Sequence, residues 1–484
     1  MRSVPLQSLA ARALCVGVLL AALALPAGAL GATRPQPARP PVEALGALIP
    51  LRAEQGCLVA RSAPRLGCAR VRALGGPAPF LGSQALAISD DGRHLYVASS
   101  RSDAIAIFKR DARSGALTQA AGAAGCVAAG GSDGCARARA LDGPNSLAIS
   151  ADGRSVYATS LLSDSVAVFR RNPRTGALTQ AAGPAGCVVG RTIPGCALGR
   201  ALDGPDVVVV SPDGSSVYVG SFLGNAVVSF ARDAATGALV QPGGASGCVA
   251  AAPSDGCATA LALLAPEGLA ISGDGATVYV AAAAGNALLV LARNSSTGAL
   301  TQATDGSGCI VASPLAGCTT GTQLAGANAV AVSPDGDDVY VTSLLSNSLT
   351  SFTRSSTGAL TPQAGTSACA IYVLAVGCSL GRAMRAPEGL AASPDGASVY
   401  VTAFGSGALD VFDRDGSGAL MQKPRRPGCV VVRPTPDCTR GRALLGASAV
   451  VVSPDGRHVY AAAFRSNAVT VFKRITRSMT RGQG

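Results

Sequence analysis

The sequence predicts an all-β fold, a seven-bladed β-propeller of four-stranded blades, and three observations carry the prediction. An Asp-Gly turn recurs at Asp91, Asp152, Asp213, Asp274, Asp335, Asp395 and Asp455, in steps of 61, 61, 61, 61, 60 and 60 residues. Seven of the eight tyrosines follow these turns at a near-constant offset: Tyr96, Tyr157, Tyr218, Tyr279, Tyr340, Tyr400 and Tyr460. Fourteen of the fifteen cysteines fall into short-spaced pairs in the same register: Cys57 with Cys68, Cys126 with Cys135, Cys187 with Cys196, Cys248 with Cys257, Cys309 with Cys318, Cys369 with Cys378, and Cys429 with Cys438. A repeat of this length, built of short strands and no helix, is a propeller blade.

Residues 204–241 show one unit in order. The apolar run VVVVS is a first strand, and it ends in SPDG, where Pro presets φ and Gly accepts a positive φ. The β-branched and aromatic run SVYVG is a second strand, and NAVVSF, after a polar loop, is a third. A DAATG turn then leads into GALVQ, the fourth. The cysteine hairpin reads as the connection to the next blade. At the N-terminus GALIPLRAEQGC (46–57) repeats the spacing of GALTQAAGAAGC (115–126). It therefore reads as an orphan fourth strand that pairs into the last blade and removes two sheet edges. The propeller is expected over 46–474, with 475–484 as a tail.

Ahead of it, 33–45 is a Pro-rich tether. Residues 1–29 read as a signal peptide: Arg2 and Arg12 precede ALCVGVLLAALAL (13–25), and cleavage is expected near Ala29 or Ala32. Cys15, in that apolar run, leaves with it. No other apolar run is long enough for a membrane helix. The chain is therefore read as secreted, and in that compartment paired cysteines are disulfides. A C-x8-C spacing without histidine does not suit zinc. Each such clip contributes about 2.5–3 kcal/mol in the chain-entropy model.

The composition is globular, with 48% hydrophobic and 14% charged residues. The formal charge of +12 rests almost wholly on arginine, lysine occurring only at 109, 423 and 473. The arginines sit at repeat positions without interleaved stacking aromatics, which argues against nucleic acid. The partner expected is a protein or a small molecule.

The repeats SPDGDDVYVTSLLSNSLTSF (333–352) and SPDGASVYVTAF (393–404) resemble YVTN-type propellers and, more widely, the seven-bladed lactonase-like family that includes 6-phosphogluconolactonase. The resemblance extends over 46–474 and implies the fold, with lactone hydrolysis as the activity to weigh. Ser or Ala replaces the Asn of YVTN here, and the cysteine hairpins are additional.

Residues present in every blade read as structural. The seven turn aspartates bond their own backbone. Arg110, Arg171, Arg232, Arg293, Arg354, Arg414 and Arg474 end the third strands, where they can pair with those aspartates or form a basic face. Phe108, Phe169, Phe230, Phe352, Phe412 and Phe472 are core. His94 and His458 read as exposed turn residues. No catalytic residue is assigned, since there is no G-x-S-x-G or H-E-x-x-H and no triad setting.

Function is sought where the repeats disagree, and two positions stand out on the face opposite those turns. Gln84, Asn145, Asp206, Glu267, Asn328, Glu388 and Ser448 immediately precede the innermost strand and should ring the channel mouth, as a hydrated polar rim or a ligand site. Oxygen donors suit Ca²⁺, and Asp206, Glu267, Asn328 and Glu388 are the expected ligands; the gluconolactonase and paraoxonase relatives imply a comparable central site. Four residues beyond each tyrosine lie Ser100, Leu161, Phe222, Ala283, Leu344, Phe404 and Phe464. Their loops should face solvent, so Phe222, Phe404 and Phe464 offer an apolar docking patch unless the hairpins cover them. The expected function is a secreted binding or scaffold module acting through this face. The alternative is a lactonase-like hydrolase in which a metal polarises a carbonyl.

Overall fold

The computed structural model describes residues 44–64, 66–77, 84–373 and 375–476. The signal segment 1–29, residues 33–43 of the tether and residues 477–484 of the tail lie outside the described residues. No helix among the described residues is long and apolar enough to cross a membrane.

Seven sheets make seven blades. Blade two shows the plan. Pro144–Ile149 is innermost, Ser155–Ser160 pairs with it, and Ser165–Arg171 pairs with that strand in turn, all antiparallel. Every residue of the second strand is buried in all seven blades, because neighbouring blades pack on both of its faces. That explains its continuous apolar and β-branched composition.

The expected fourth strand is split, and a fifth follows. Leu178–Gln180 pairs with the end of the third strand, the chain makes a 3₁₀ turn over Gly183–Gly186, and Cys187–Val189 resumes the pairing further along. A Cβ on Gly186 would lie 2.3 Å from the Ala181 carbonyl oxygen, so the close approach in this turn favours glycine, although blade five forms the same turn with Ala368 in that place. Ala197–Leu198 then adds in parallel to the outer edge. All seven cysteine pairs form disulfides. The clip is thus not in a loose connection between blades: its first sulfur belongs to the sheet, and the bond ties down an edge strand too short to hold by pairing alone.

The blades are joined by a repeated device at the end carrying the Asp-Gly turns. Arg171 of blade two donates from Nε to the Tyr96 hydroxyl of blade one (2.9 Å), from Nη1 to the Gly153 carbonyl of its own turn (3.0 Å) and from Nη2 to Asp91 of blade one (3.1 Å). Tyr96 in turn donates to the Gly176 carbonyl of blade two (2.8 Å). The same arrangement joins every blade to the next, through Arg232, Arg293, Arg354, Arg414, Arg474 and Arg110. These arginine side chains are only 1–9% exposed, which excludes a basic recognition face built from them.

His94 and His458 belong to this girdle. They are not exposed in a turn but begin second strands, 2% and 1% exposed. His94 Nδ1 accepts from Arg171 Nη2 (2.9 Å) and His458 Nδ1 from Arg110 Nη2 (2.8 Å). Burial, and then Arg110, holds the His458 pKa at about 4, so the ring is a neutral acceptor.

In the last blade the outer strand comes from the start of the described chain. Leu48–Pro50 and Cys57–Ala60 pair antiparallel with Ala468–Arg474, and the Gly46 carbonyl accepts the Tyr400 hydroxyl (2.7 Å). Gly46 thereby fills the place that Gly176 fills in blade two.

Candidate ligand site at the channel mouth

The polar ring does not precede the innermost strands; six of its seven members lie inside them, each at a break in register. Pairing steps from Pro144 to Ser146, skipping Asn145, and from Pro205 to Val207, skipping Asp206. Glu267, Asn328 and Ser448 are skipped in the same way, and Glu388 together with Gly389. A bulge frees one residue from the ladder and re-aims its side chain, and here it does so at the same point in six blades.

The ring is also buried, which overturns the hydrated rim. Asn145 and Asn328 are 2% exposed, Glu267 4%, Asp206 5%, and Glu388 and Ser448 0%. Half-buried Gln84 donates from Nε2 to the Leu269 carbonyl of blade four (2.7 Å), a bond that crosses from blade one toward the far side of the ring. The Thr159 hydroxyl donates to Asn145 Oδ1 (3.1 Å), which leaves the Asn145 amide to donate to Asp206 Oδ1. Asn328 is held alike: its carbonyl oxygen accepts from Thr342 (3.0 Å) and its amide donates to the Pro387 carbonyl (3.1 Å).

Two oxygens are left over. Asp206 Oδ2 and Glu267 Oε2 are buried without a hydrogen-bond partner. Burial raises the Asp206 pKa well above the carboxylate range, and burial followed by the nearby Asp206 charge pushes Glu267 up to about 9. Burial thus disfavours the charged form of both groups, since ionising either would bury an uncompensated charge.

Above Asp206 a cavity of about 460 Å³ opens, lined by Asn145, Asp206, Phe222, Leu161, Leu162, Ser100, Arg101, Asp103 and Asp142. It unites the two variable positions, but only in blades one to three. Phe464 lies under the Arg101 guanidinium (4.1 Å to the ring centre) and Phe404 under that of Arg465 (4.7 Å), so neither presents an open apolar face. The loop explains this. Its first amide, in Leu161, Phe222, Leu344, Phe404 and Phe464 alike, donates to a carbonyl just ahead of the innermost strand and pins that residue down. The exposed apolar side chains are instead the next in sequence, Leu162 (61%), Leu223 (57%) and Leu345 (69%). Arg101 and Arg465 occupy that same next position in blades one and seven. Comparing the repeats one column further along would have found both the leucines and the arginines. Asp103 and Asp142 were also missed; burial and then the Asp103 charge raise the Asp142 pKa.

As a calcium site the ring is incomplete. Among the described residues no three Asp, Glu, His or Cys side chains gather into a metal-binding group. Asp206 and Glu267 have oxygen to offer, whereas the Asn328 oxygen is already engaged. Calcium takes 6–8 oxygens, so most would have to be water or main chain.

No protein-family model matches the sequence, and no curated protein is significantly similar to it. Among solved structures, hydrazine synthase of Kuenenia stuttgartiensis is similar with a TM-score of 0.51 at 19% identity, over 86% of this chain and 98% of that one. The periplasmic gluconolactonase of Pseudomonas aeruginosa gives 0.49 at 22% identity, over 70% and 83%. A 6-phosphogluconolactonase candidate from Bacteroides uniformis gives 0.49 at 17% identity, over 77% and 88%. At such identities only the fold is shared, and function has to be argued from the site.

Proposed function

We propose that the protein is a secreted binding module, working in an oxidising compartment, that takes a small ligand into the cavity between blades one and three. The observation that carries this reading is Asp206: a carboxyl on a bulge whose charged form burial disfavours, with one oxygen buried and unpartnered, in the lining of a cavity it shares with Phe222, Leu161 and Leu162. Such a floor donates a hydrogen bond to a carbonyl or hydroxyl, while the walls take an apolar body. Seven disulfides support the compartment.

A second reading, a lactonase-like hydrolase, is favoured by Glu267, because a carboxyl with a pKa of about 9 can serve as a general acid at neutral pH. A divalent cation would compete for the same carboxyls, with Asp206 and Glu267 as its side-chain ligands. If it bound, it would supply polarisation of a carbonyl.

The test is titration with γ-decalactone, a carbonyl on an apolar tail, and separately with CaCl₂. Melting temperature and acid release are followed together. The lactone is expected to raise the melting temperature in a saturable way without acid release above buffer. Asp206→Ala should weaken it roughly tenfold, the worth of one lost hydrogen bond. Acid release abolished by Glu267→Gln would favour the hydrolase, and a calcium response abolished by Asp206→Asn would favour the cation. No response to either probe would overturn the site.

A further inference from the structure

At the girdle end, a second set of basic residues departs from the sevenfold pattern. Between blades two and three a groove of about 650 Å³ is lined by Arg154 and Arg170 together with Ser155, Asn172, Thr179 and, from blade three, Thr236. Arg154 follows an Asp-Gly turn, and Arg170 lies near the end of the third strand, opposite Ser155. The same two positions hold Arg93 and Lys109 in blade one and Arg457 and Lys473 in blade seven. Two more cations, Arg113 and Arg174, lie in the turns after the third strands, two residues before Gly115 and Gly176. Those glycines pack on the preceding blade: a Cβ on Gly115 would lie 2.2 Å from His458 Cδ2, and one on Gly176 2.3 Å from His94 Cδ2. Arg113 therefore lies in a turn packed against blade seven, and Arg174 in one packed against blade one.

All eight are exposed, and none makes an ion pair among the described residues. In blades three to six the two strand positions hold Ser215 and Ala231, Ala276 and Ala292, Asp337 and Thr353, Ala397 and Asp413. The charge is thus confined to three consecutive blades. Asp91, Asp152 and Asp455 lie beside it but are already neutralised by Arg171, Arg232 and Arg110. Asp90, Asp111 and Asp233 are the remaining carboxylates nearby, too few to balance eight cations.

We infer that this arc is a binding surface for a linear acidic polysaccharide, a chain of sugar acids or sulfated sugars. Like charges gathered on one surface repel and are relieved by a polyanion. The blade-two pair sits in a groove rather than on a ridge, and the polar neutral neighbours there, Ser155, Asn172, Thr179 and Thr236, are hydroxyl and amide groups that suit sugar hydroxyls. A groove of this size takes a short run of sugar rings, whereas a nucleic-acid duplex could only ride over it. Single-stranded nucleic acid would want aromatic platforms, and Phe108, Phe169, Phe472, Tyr96, Tyr157 and Tyr460 of these blades are all buried.

The test is binding of the whole protein to heparin and to polygalacturonate across a salt series, beside a DNA duplex and anionic phospholipid vesicles. Arg154→Gln with Arg170→Gln should lose roughly tenfold in affinity for both polysaccharides and show a shallower salt dependence. Arg137→Gln with Arg385→Gln removes two exposed arginines elsewhere and should change affinity less than about twofold. Melting temperatures of both variants should match the wild type, which separates lost binding from lost folding. Equal losses in the two pairs would show a response to net charge alone and overturn the surface. Tighter binding of the duplex or the vesicles, with the same dependence on Arg154 and Arg170, would overturn the polysaccharide.

Discussion

The strand Pro205–Val210 begins with one kind of aspartate and leads into another. Asp206 sits in the bulge at the channel mouth, and Asp213 lies in the turn past the far end, about 20 Å away by the rise of an extended chain. Burial opposes ionisation of Asp213, but hydrogen bonds from Ser211, the Ser215 amide and Arg293 outweigh it and hold its pKa below the usual range. Asp206 has burial with only the Asn145 amide against it, and its pKa goes up. The two environments differ in what the neighbouring blade supplies. At the girdle end each blade delivers an arginine to the aspartate before it. At the mouth the equivalent residue changes from blade to blade, so no reciprocal partner can be built in. Repetition makes a carboxylate structural, and the broken repeat leaves one available.

The most forceful way to break this contrast is to remove an arginine. Arg474 donates to both oxygens of Asp395, to the Tyr400 hydroxyl (2.7 Å) and to the Gly456 carbonyl (3.2 Å), with its side chain 2% exposed. Arg474→Ala leaves a buried hydroxyl and a carboxylate without their partner and should cost about 3–5 kcal/mol. Arg354, at 9%, is more open to solvent and its loss should cost less. Urea unfolding of the two variants decides this. A cost under about 1 kcal/mol for Arg474→Ala would mean that the girdle is a surface network.

The next effect is comparable in size and has the opposite sign. The Glu267 pKa is raised to about 9 in the folded protein, and it returns to an ordinary carboxyl value on unfolding. The folded state therefore holds a proton that the unfolded state releases, and stability falls as pH rises from about 4.5 to 9. The girdle aspartates do the reverse: Asp91 and Asp152, held at about 2, contribute stability above pH 4 that is lost as pH falls through 2. Stability should peak in mildly acidic solution. Glu267→Gln should flatten the alkaline limb, gaining up to about 4–5 kcal/mol at pH 8 and nothing at pH 4. A wild-type curve that stays level from pH 5 to 9 would show that water in the channel keeps Glu267 ordinary.

How far the sequence could be read follows the same division. The period, the turns, the disulfide pairs and the Asp–Arg pairing were legible because each is written seven times. Spacing alone could not show that the arginine reaches the aspartate of the preceding blade, since that depends on how blades pack. It also could not show that His94 and His458 are buried: a polar residue beside an Asp-Gly turn looks exposed until a glycine from the next blade closes over it. The variable ring was located to within a residue, but its burial was not, because a β-bulge leaves no mark on a sequence of alternating small and apolar residues. Phe404 and Phe464 were misjudged for a related reason. Their cover comes from arginines one blade onward, Arg465 and Arg101, and which blade supplies the cover depends on packing rather than on spacing.

Arg101 gives the finest test, because it belongs to the mouth by position yet makes a contact of its own. Its guanidinium lies 4.1 Å from the centre of the Phe464 ring, and its side chain also lines the cavity. A cation over an aromatic face at an exposed site is worth about 0.5–1 kcal/mol, far below the girdle arginines. Arg101→Ala should therefore lower the melting temperature by less than about 2 °C, while uncovering Phe464 and widening the entrance above Asp206. Affinity for γ-decalactone should change severalfold through that widening, and Arg101→Lys, which keeps the cation but not the planar stack, should fall between the two. If Arg101→Ala instead destabilises the protein as much as Arg474→Ala, the arginine at the mouth is a blade clamp like the others. The division between a repeated, structural end and an open, variable one would then not hold.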